Sequence, residues 1–470
     1  MSFDNAVELS LANSYQIQYL EIGVLQTRRR LEAERANLRS RIDMDLTSPD
    51  FQIVSEQKFD SELQRDVLIR ENTRMWRMDL SVRQPVILFG YPTNGYLSLN
   101  NRVYRFSQLT EGEGRNITYY NRYFIAYEQP LFQPNELKND LEVASLNLED
   151  EELEYLSDVV SIIEDVADDY YDLFETVYER LIVETQLENL EQALEISRGS
   201  SDFGANTVNQ LQVELTNVQE NLAQTNSDIR LDEADIKQEL RLDESTFIEI
   251  DPVIEINPIL VNIEQAIEFG RSLRPRMREL EIEHRRQEID LEEVKGQGGL
   301  QMNLETTYGR EMQDPRFGDL LEDPTNSYTL GVNVRIPILD WGERRARIQA
   351  EQLGLSRIQL EMEEEVNEIQ SNIKNAVETL QTYQNRALAM QENVQLARSV
   401  MRASFEAFQE GEVGVFELLQ NIQRLRDTQE NLLQSYLGYR NSILNLWVLT
   451  FYDFETGQTL LDRYNVVVQE

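Results

Sequence analysis

The side chains able to do chemistry are few. The chain of 470 residues holds one histidine, His284, and no cysteine. Neither a Cys/His zinc site nor a cysteine nucleophile is open to it, and a Ser-His-Asp arrangement would have to use His284. That histidine sits in Glu283-His284-Arg285-Arg286 on a predicted helix, where a solvated or interhelical imidazole is the ordinary case. No Gly-rich phosphate loop of the P-loop kind occurs. No catalytic constellation, cofactor site or metal site is read. Carboxylates dominate instead: 85 Asp+Glu stand against 44 Lys+Arg, a net charge of −41. A surface of that sign repels phosphate backbones, which argues against nucleic acid as a partner. The runs Glu149-Asp150-Glu151-Glu152 and Glu361–Glu365 read first as solvated faces.

The elements that carry these residues follow from the prolines. None lies between Pro134 and Pro252, and none after Pro337. Both stretches are rich in Glu, Leu, Gln, Arg and Ala, so both can be long helices. Leu211, Leu215, Val218, Leu222, Thr225 and Ile229 advance by alternating steps of four and three. Leu418, Ile422, Leu425, Gln429, Leu432, Tyr436 and Ile443 keep the same seam with one step omitted. That is coiled-coil spacing. A helix from about Glu136 to Ser197 would be about 90 Å long at about 1.5 Å per residue. Each stretch is broken once by paired glycines, at Gly199 and Gly204 and at Gly411 and Gly414, as at the turn of a helical hairpin.

Elsewhere the period is two. Tyr328, Leu330, Val332, Val334 and Ile336 oppose Thr329, Gly331, Asn333 and Arg335. Gln301 to Arg310 alternates likewise. So do Trp76 to Val82 and, less cleanly, Tyr123 to Tyr127. These read as Tyr-rich strands of about ten residues with one apolar face. Such strands suit an outer-membrane barrel, which needs about 9–11 residues per strand. A half-buried soluble sheet alternates in the same way. No window approaches the roughly 18 apolar residues of a membrane helix. Met1-Ser2-Phe3-Asp4 has neither a basic n-region nor an apolar h-region, so no signal peptide is expected here. The chain then reads as cytosolic or as the mature part of an exported protein.

The pattern occurs twice. Ala6-Val7-Glu8 matches Ala266-Ile267-Glu268, and Gln129-Pro130-Leu131-Phe132 matches Ile336-Pro337-Ile338-Leu339. The offset falls from 260 (Ala6 to Ala266) to 207 (Pro130 to Pro337), so the first half carries roughly fifty more residues in its strand region. Trp76–Val82 and Tyr96–Phe106 are candidates for an added hairpin there, and Gln84-Pro85 echoes Gln129-Pro130. The expected organisation is a first repeat over 1–240, with strands at about 50–130 and a tip near 199–204. An inter-repeat segment over 241–262 follows. The second repeat covers 263–453, with strands at about 300–336 and a tip near 410–414, and a tail covers 454–470.

In this order and duplication the chain resembles the TolC-like outer-membrane efflux proteins, and its long first strand region resembles that of Bacteroidota-type members. Val332-Asn-Val-Arg-Ile-Pro-Ile-Leu-Asp-Trp-Gly-Glu343 resembles the strand-to-helix junction of the second repeat. Phe408-Gln-Glu-Gly-Glu-Val-Gly-Val-Phe-Glu-Leu-Leu419 resembles its tip, and Ala266 to Pro275 its opening. The resemblance implies an α+β, mainly α, fold. In it a homotrimer shares a β-barrel of twelve strands, four from each chain, continued by a long periplasmic coiled-coil barrel. It implies a passive exit duct in outer-membrane lipid, coupled through a periplasmic adaptor to an inner-membrane RND or ABC transporter.

The same resemblance assigns residues. Glu417 and Gln420 fall on the two positions of the ring that narrows the periplasmic end, where family members commonly carry Asp. Here the second is neutral. Gly199, Ser200, Ser201, Gly411, Glu412, Val413 and Gly414 fall on the adaptor-docking tips, which also read as plain turns. Pro130, Pro337 and Gly342 fall on the strand-to-helix junctions. The acidic runs would then contribute to an anionic lumen. The competing expectation is a soluble, elongated coiled-coil scaffold with a small β-domain.

Overall fold

The computed structural model describes residues 1–60, 64–110, 114–199 and 203–466. In chain order the elements are α1 (Phe3–Asn13), α2 (Tyr15–Asn37), β1 (Arg41–Asp60), β2 (Arg65–Leu88), β3 (Tyr91–Thr110), β4 (Gly114–Leu131), α3 (Glu136–Gly199) and α4 (Ala205–Glu239). They are followed by α5 (Ile263–Ser272), α6 (Arg276–Gln297), β5 (Gln301–Asp314), β6 (Thr325–Arg335), α7 (Glu343–Gln409) and α8 (Val415–Thr450). A small hairpin, β7 (Tyr452–Asp453) and β8 (Gln458–Thr459), leads into α9 (Leu460–Arg463). Each half thus runs two helices, antiparallel strands, one very long helix and a returning helix. Ser200 and Ser201 lie outside the described residues.

Two compact units are distinguished. One comprises residues 1–24, 150–281 and 360–470, the other 25–149 and 282–359. The second holds the sheet, a continuous antiparallel meander in the order β1-β2-β3-β4-β5-β6. The expected hairpin of Trp76–Val82 with Tyr96–Phe106 is there, with Val82 opposite Leu99 and Trp76 opposite Arg105. The sheet has six strands, the four that the resemblance implies and the added hairpin, in one ladder. The first four strands run 18 to 24 residues rather than about ten. Apolar alternation ends where one face stops being apolar, but the backbone ladder continues beyond it.

In the first unit the long helices bury one face each. The seam read on α4 is buried at Leu211, Leu215, Val218, Thr225 and Ile229. That on α8 is buried at every named position, from Leu418 to Ile443. The 64 residues of α3 and 67 of α7 correspond to about 96–100 Å of helix. Among the described residues no helix is long and apolar enough to cross a membrane. Phe3 on α1 packs against Tyr170 and Tyr171 on α3 and Trp447 on α8, with centroids 5.7, 5.8 and 6.1 Å away.

Beside this aromatic cluster lies an ionic knot. Asp453 is fully buried. It accepts from the Glu455 N–H at 2.8 Å, from the Thr456 hydroxyl at 2.5 Å and from Arg463, whose guanidinium also reaches Asp4 at 2.5 Å. Nearby, Arg440 donates to Tyr171 at 2.7 Å and bidentately to Glu455 at 2.9 and 3.1 Å. Through Arg463 the knot ties the segment after α8 to the first helix. Removing one partner of a buried pair strands the other, which typically costs about 3–5 kcal/mol. Asp453→Ala is therefore expected to lower thermal stability by an amount in that range, whereas Asp453→Asn, which keeps two of the acceptor contacts, should lose less. Circular dichroism melting of both variants checks this.

Candidate functional site

The sheet separates apolar from polar side chains. Register places Ile42, Val82, Leu99, Ile125, Tyr308 and Tyr328 in one row across all six strands. All share a face, since residues opposite one another point the same way. Met44, Leu46, Leu80, Leu97, Leu330, Val332 and Val334 extend that face, and each is solvent-exposed in the isolated chain. Leu330 is 76% exposed and Tyr328 80%.

The opposite face is ionic and hydroxylic. Asp45, Asp79, Arg102, Arg122 and Glu311 form one row of it. Asp79 bonds Arg77 at 2.9 Å and Arg102 at 2.5 Å, and Tyr120 donates to Glu311 at 2.8 Å. Thr307 and Thr329, then Asn303 and Asn333, continue it toward the edge. Water suits this face and hydrocarbon the other, the division an outer-membrane strand requires.

The ends of the sheet differ as well. The strands join helices at Arg41, Leu131, Gln301 and Arg335, all at one end. At that end Phe89 and Gly90, with φ of +52° and +87°, close the two-residue β2–β3 hairpin as a type I′ turn. Phe89, Tyr91, Phe132, Ile338, Leu339 and Trp341 are all highly exposed at or beside these connections, a composition suited to a membrane interface. Pro130 pairs with Asn303 in the ladder. Gln129 fixes that junction by donating to Thr93 O at 2.7 Å and Pro130 O at 3.0 Å. Gln84 likewise donates to Pro85 O at 2.9 Å. After Pro337, Gly342 has φ +88°. The N–H groups of Gly342 and Arg344 donate to Asp340 and hold its carboxyl below the usual range.

In the other unit the helices turn. Gly411 has φ +74°. Its N–H reaches Phe408 O at 3.1 Å, and the Glu412 N–H reaches Ala407 O at 2.8 Å. This is a Schellman ending, with glycine in the left-handed position. Val413 leads to Gly414, the N-cap of α8. Gly199 ends α3 and Gly204 caps α4. Phe203 stacks on Phe408 with centroids 4.6 Å apart, so the two hairpin ends lean on each other. Beneath them Leu190, Leu211, Phe408 and Leu418 share one fully buried cluster. Glu417 and Gln420 are both exposed and lie one helical turn apart on α8. Gln420 lines a groove of about 520 Å³ with Gln186, Glu214, Phe416 and Asp427. His284 stands on α6, its Nδ1 3.8 Å from Glu288.

Residues 266–449 match the family described as outer membrane efflux protein. Over that segment the chain is similar to the outer membrane efflux proteins. No curated protein matches it significantly. Among solved structures, the outer membrane protein VceC from Vibrio cholerae is 13% identical with a TM-score of 0.68, over 95% of this chain and 96% of that one. The CmeC outer membrane channel of Campylobacter jejuni is 13% identical with a TM-score of 0.66, over 97% and 86%. The open-state MtrE outer membrane channel of Neisseria gonorrhoeae is 12% identical with a TM-score of 0.64, over 95% and 88%. At such identities these neighbours establish the TolC-like fold.

Within that fold one acidic surface escaped sequence reading. Asp169 on α3 is partly buried facing Asp235 and Glu239 of α4, with Asp165 and Asp172 on its own helix. Burial, then the charges of Glu239, Asp172, Asp235 and Asp165, push its pKa up to about 6. Burial also raises Glu164, Asp168 and Asp172. Only the i, i+3 and i, i+4 spacing on α3 was visible beforehand; the contribution of α4 depends on the turn. Because the native pKa of Asp169 exceeds its ordinary 3.8, the folded chain holds more protons than the unfolded chain between those values. Stability therefore falls as pH rises from about 4 to about 6. Asp169→Asn should raise the melting temperature at pH 7.5, and the gain should vanish near pH 4. Thermal melts across pH test both.

Proposed function

We propose that three copies of this chain form an outer-membrane export duct. The sheet of each copy contributes to a common barrel, with its apolar face to lipid and its polar face to the lumen. The long helices line a periplasmic passage. Cargo enters from an inner-membrane RND or ABC transporter through a periplasmic adaptor, and the duct itself does no chemistry. The observation that carries this reading is the two-faced sheet. Much of its apolar side is exposed in one chain, and among the described residues each edge strand is paired on one side only, so it is complete only in lipid and with other copies. Exposed apolar side chains on the helices, among them Val213, Leu353, Leu360, Leu396 and Val400, suit contact with further copies.

The tips carry the finer assignments. Gly199, Gly411, Glu412, Val413 and Gly414, with Ser200 and Ser201, present the adaptor-facing turns. Glu417 lies one turn into α8, and three-fold symmetry would bring three of its carboxylates toward the axis. Gln420 adds polarity without charge. A ring of carboxylates prefers cations. The net charge of −41 per chain favours the same sign of cargo or counter-ion throughout the passage. Glu417→Ala is expected to shift the reversal potential of the channel in planar bilayers toward lower cation selectivity. A reversal potential equal to that of the unmodified protein would refute the ring.

A further inference from the structure

Resting on that reading, we propose that the barrel has eighteen strands, six from each chain, and that β6 of one copy closes against β1 of the next in antiparallel register. Three observations converge. All six strands lie in one unbroken sheet. The apolar row from Ile42 to Tyr328 crosses every one of them, so β1 and β2 present to lipid the same face as β5 and β6. A hairpin folded away from the bilayer would have no use for Ile42, Met44 and Leu46, exposed at 69%, 58% and 66%, in line with that face.

The stagger also fits. Along the hydrogen-bonding direction Ile42, near the start of β1, is level with Tyr328, well short of Arg335 at the end of β6. If the helix-joined ends of β6 and the next β1 meet, the register climbs about six or seven residues per chain. Three chains then give a shear of about 18–21 for eighteen strands. A ratio of shear to strand number near one corresponds to a tilt of about 36°. The upper value gives about 40°, and outer-membrane strands tilt about 35–45°. The chain thus closes at a natural tilt with β1 and β2 included.

The closing ladder would run over Arg41–Thr47. It stops at the irregularity between Thr47 and Asp50, where Pro49 withholds an N–H. Opposite it stands β6, whose 11 residues are enough to cross the hydrocarbon. In hydrocarbon every N–H and C=O of both edges must be paired, and another copy of the same chain supplies complementary edges at matching height. Barrel diameter grows roughly linearly with strand number, so the pore would be about half as wide again as one built from four strands per chain.

The absence of cysteine makes the test clean. Asp43→Cys in β1 and Asn333→Cys in β6 place both thiols on the polar, water-accessible face. Gly331→Cys and Arg335→Cys bracket the register. Oxidation of the full-length double variants in detergent should convert heat-dissociable trimers into heat-stable covalent ones, reversed by reductant, while single variants remain heat-dissociable. Links from β6 to Asn100→Cys on β3, or no links at any register in an intact trimer, would overturn the eighteen-strand closure and leave the duct standing. Failure of the unmodified protein to trimerise would instead remove the duct itself. Electron cryomicroscopy of the unmodified trimer gives an independent count: eighteen strands are expected, and twelve would contradict the proposal.

Discussion

Everything in this molecule depends on where the backbone of six strands finds its hydrogen-bond partners. Four of the six strands are paired on both sides, and β1 and β6 on one side only. One side of the sheet carries Ile42, Leu99, Ile125 and Tyr328, for which water is a poor solvent. An open sheet with a hydrophobic face would aggregate through its edges in water. The same sheet, closed by symmetry in a bilayer, has no edge and no misplaced face. The ionic row through Asp79, Arg102 and Glu311 then acquires a reason. In the proposed duct a wet lumen would keep those charges hydrated, and Asp79 bonds Arg102 at 2.5 Å and Tyr120 bonds Glu311 at 2.8 Å along the same face.

The helices answer a different constraint. Most of their stability comes from packing one apolar stripe. The four-and-three seams on α4 and α8 supply that stripe, and the Phe203–Phe408 stack and the cluster around Leu418 seal its far end. The turn itself depends on one residue in a left-handed conformation, Gly411. With no atom of the described residues within 4 Å of the position a Cβ would take, conformation rather than space selects glycine there. The carboxylates flanking Asp169 are the cost of this arrangement. Two helices bearing acids on neighbouring faces are brought together by the turn, and their repulsion is tolerated because the buried stripe outweighs it.

Much of this was legible in the order of residues. Proline-free stretches marked α3, α4, α7 and α8, and paired glycines marked their ends. Period-two segments located β2, β3, β5 and β6 and, less cleanly, β4. What escaped is instructive. Strand β1 went unread although Arg41, Asp43 and Asp45 alternate with Ile42, Met44 and Leu46, because Pro49 interrupts the pattern. Strand lengths were underestimated because the ladder outlasts the apolar alternation. The knot of Asp4, Asp453 and Arg463 joins residues from opposite ends of the chain, and no local period encodes such a meeting. Glu417 and Gln420 could be placed on one helix face from spacing alone; their proposed convergence depends on three-fold symmetry.

The account stands or falls on which way the sheet faces. Single cysteines from Ser327 to Val334, spin-labelled in reconstituted vesicles, report it directly through collision with oxygen or with a water-soluble nickel complex. The account predicts alternation: Tyr328, Leu330, Val332 and Val334 should favour oxygen, and Ser327, Thr329, Gly331 and Asn333 the nickel complex. Equal access of the nickel complex to both sets would place the sheet in water and contradict the account.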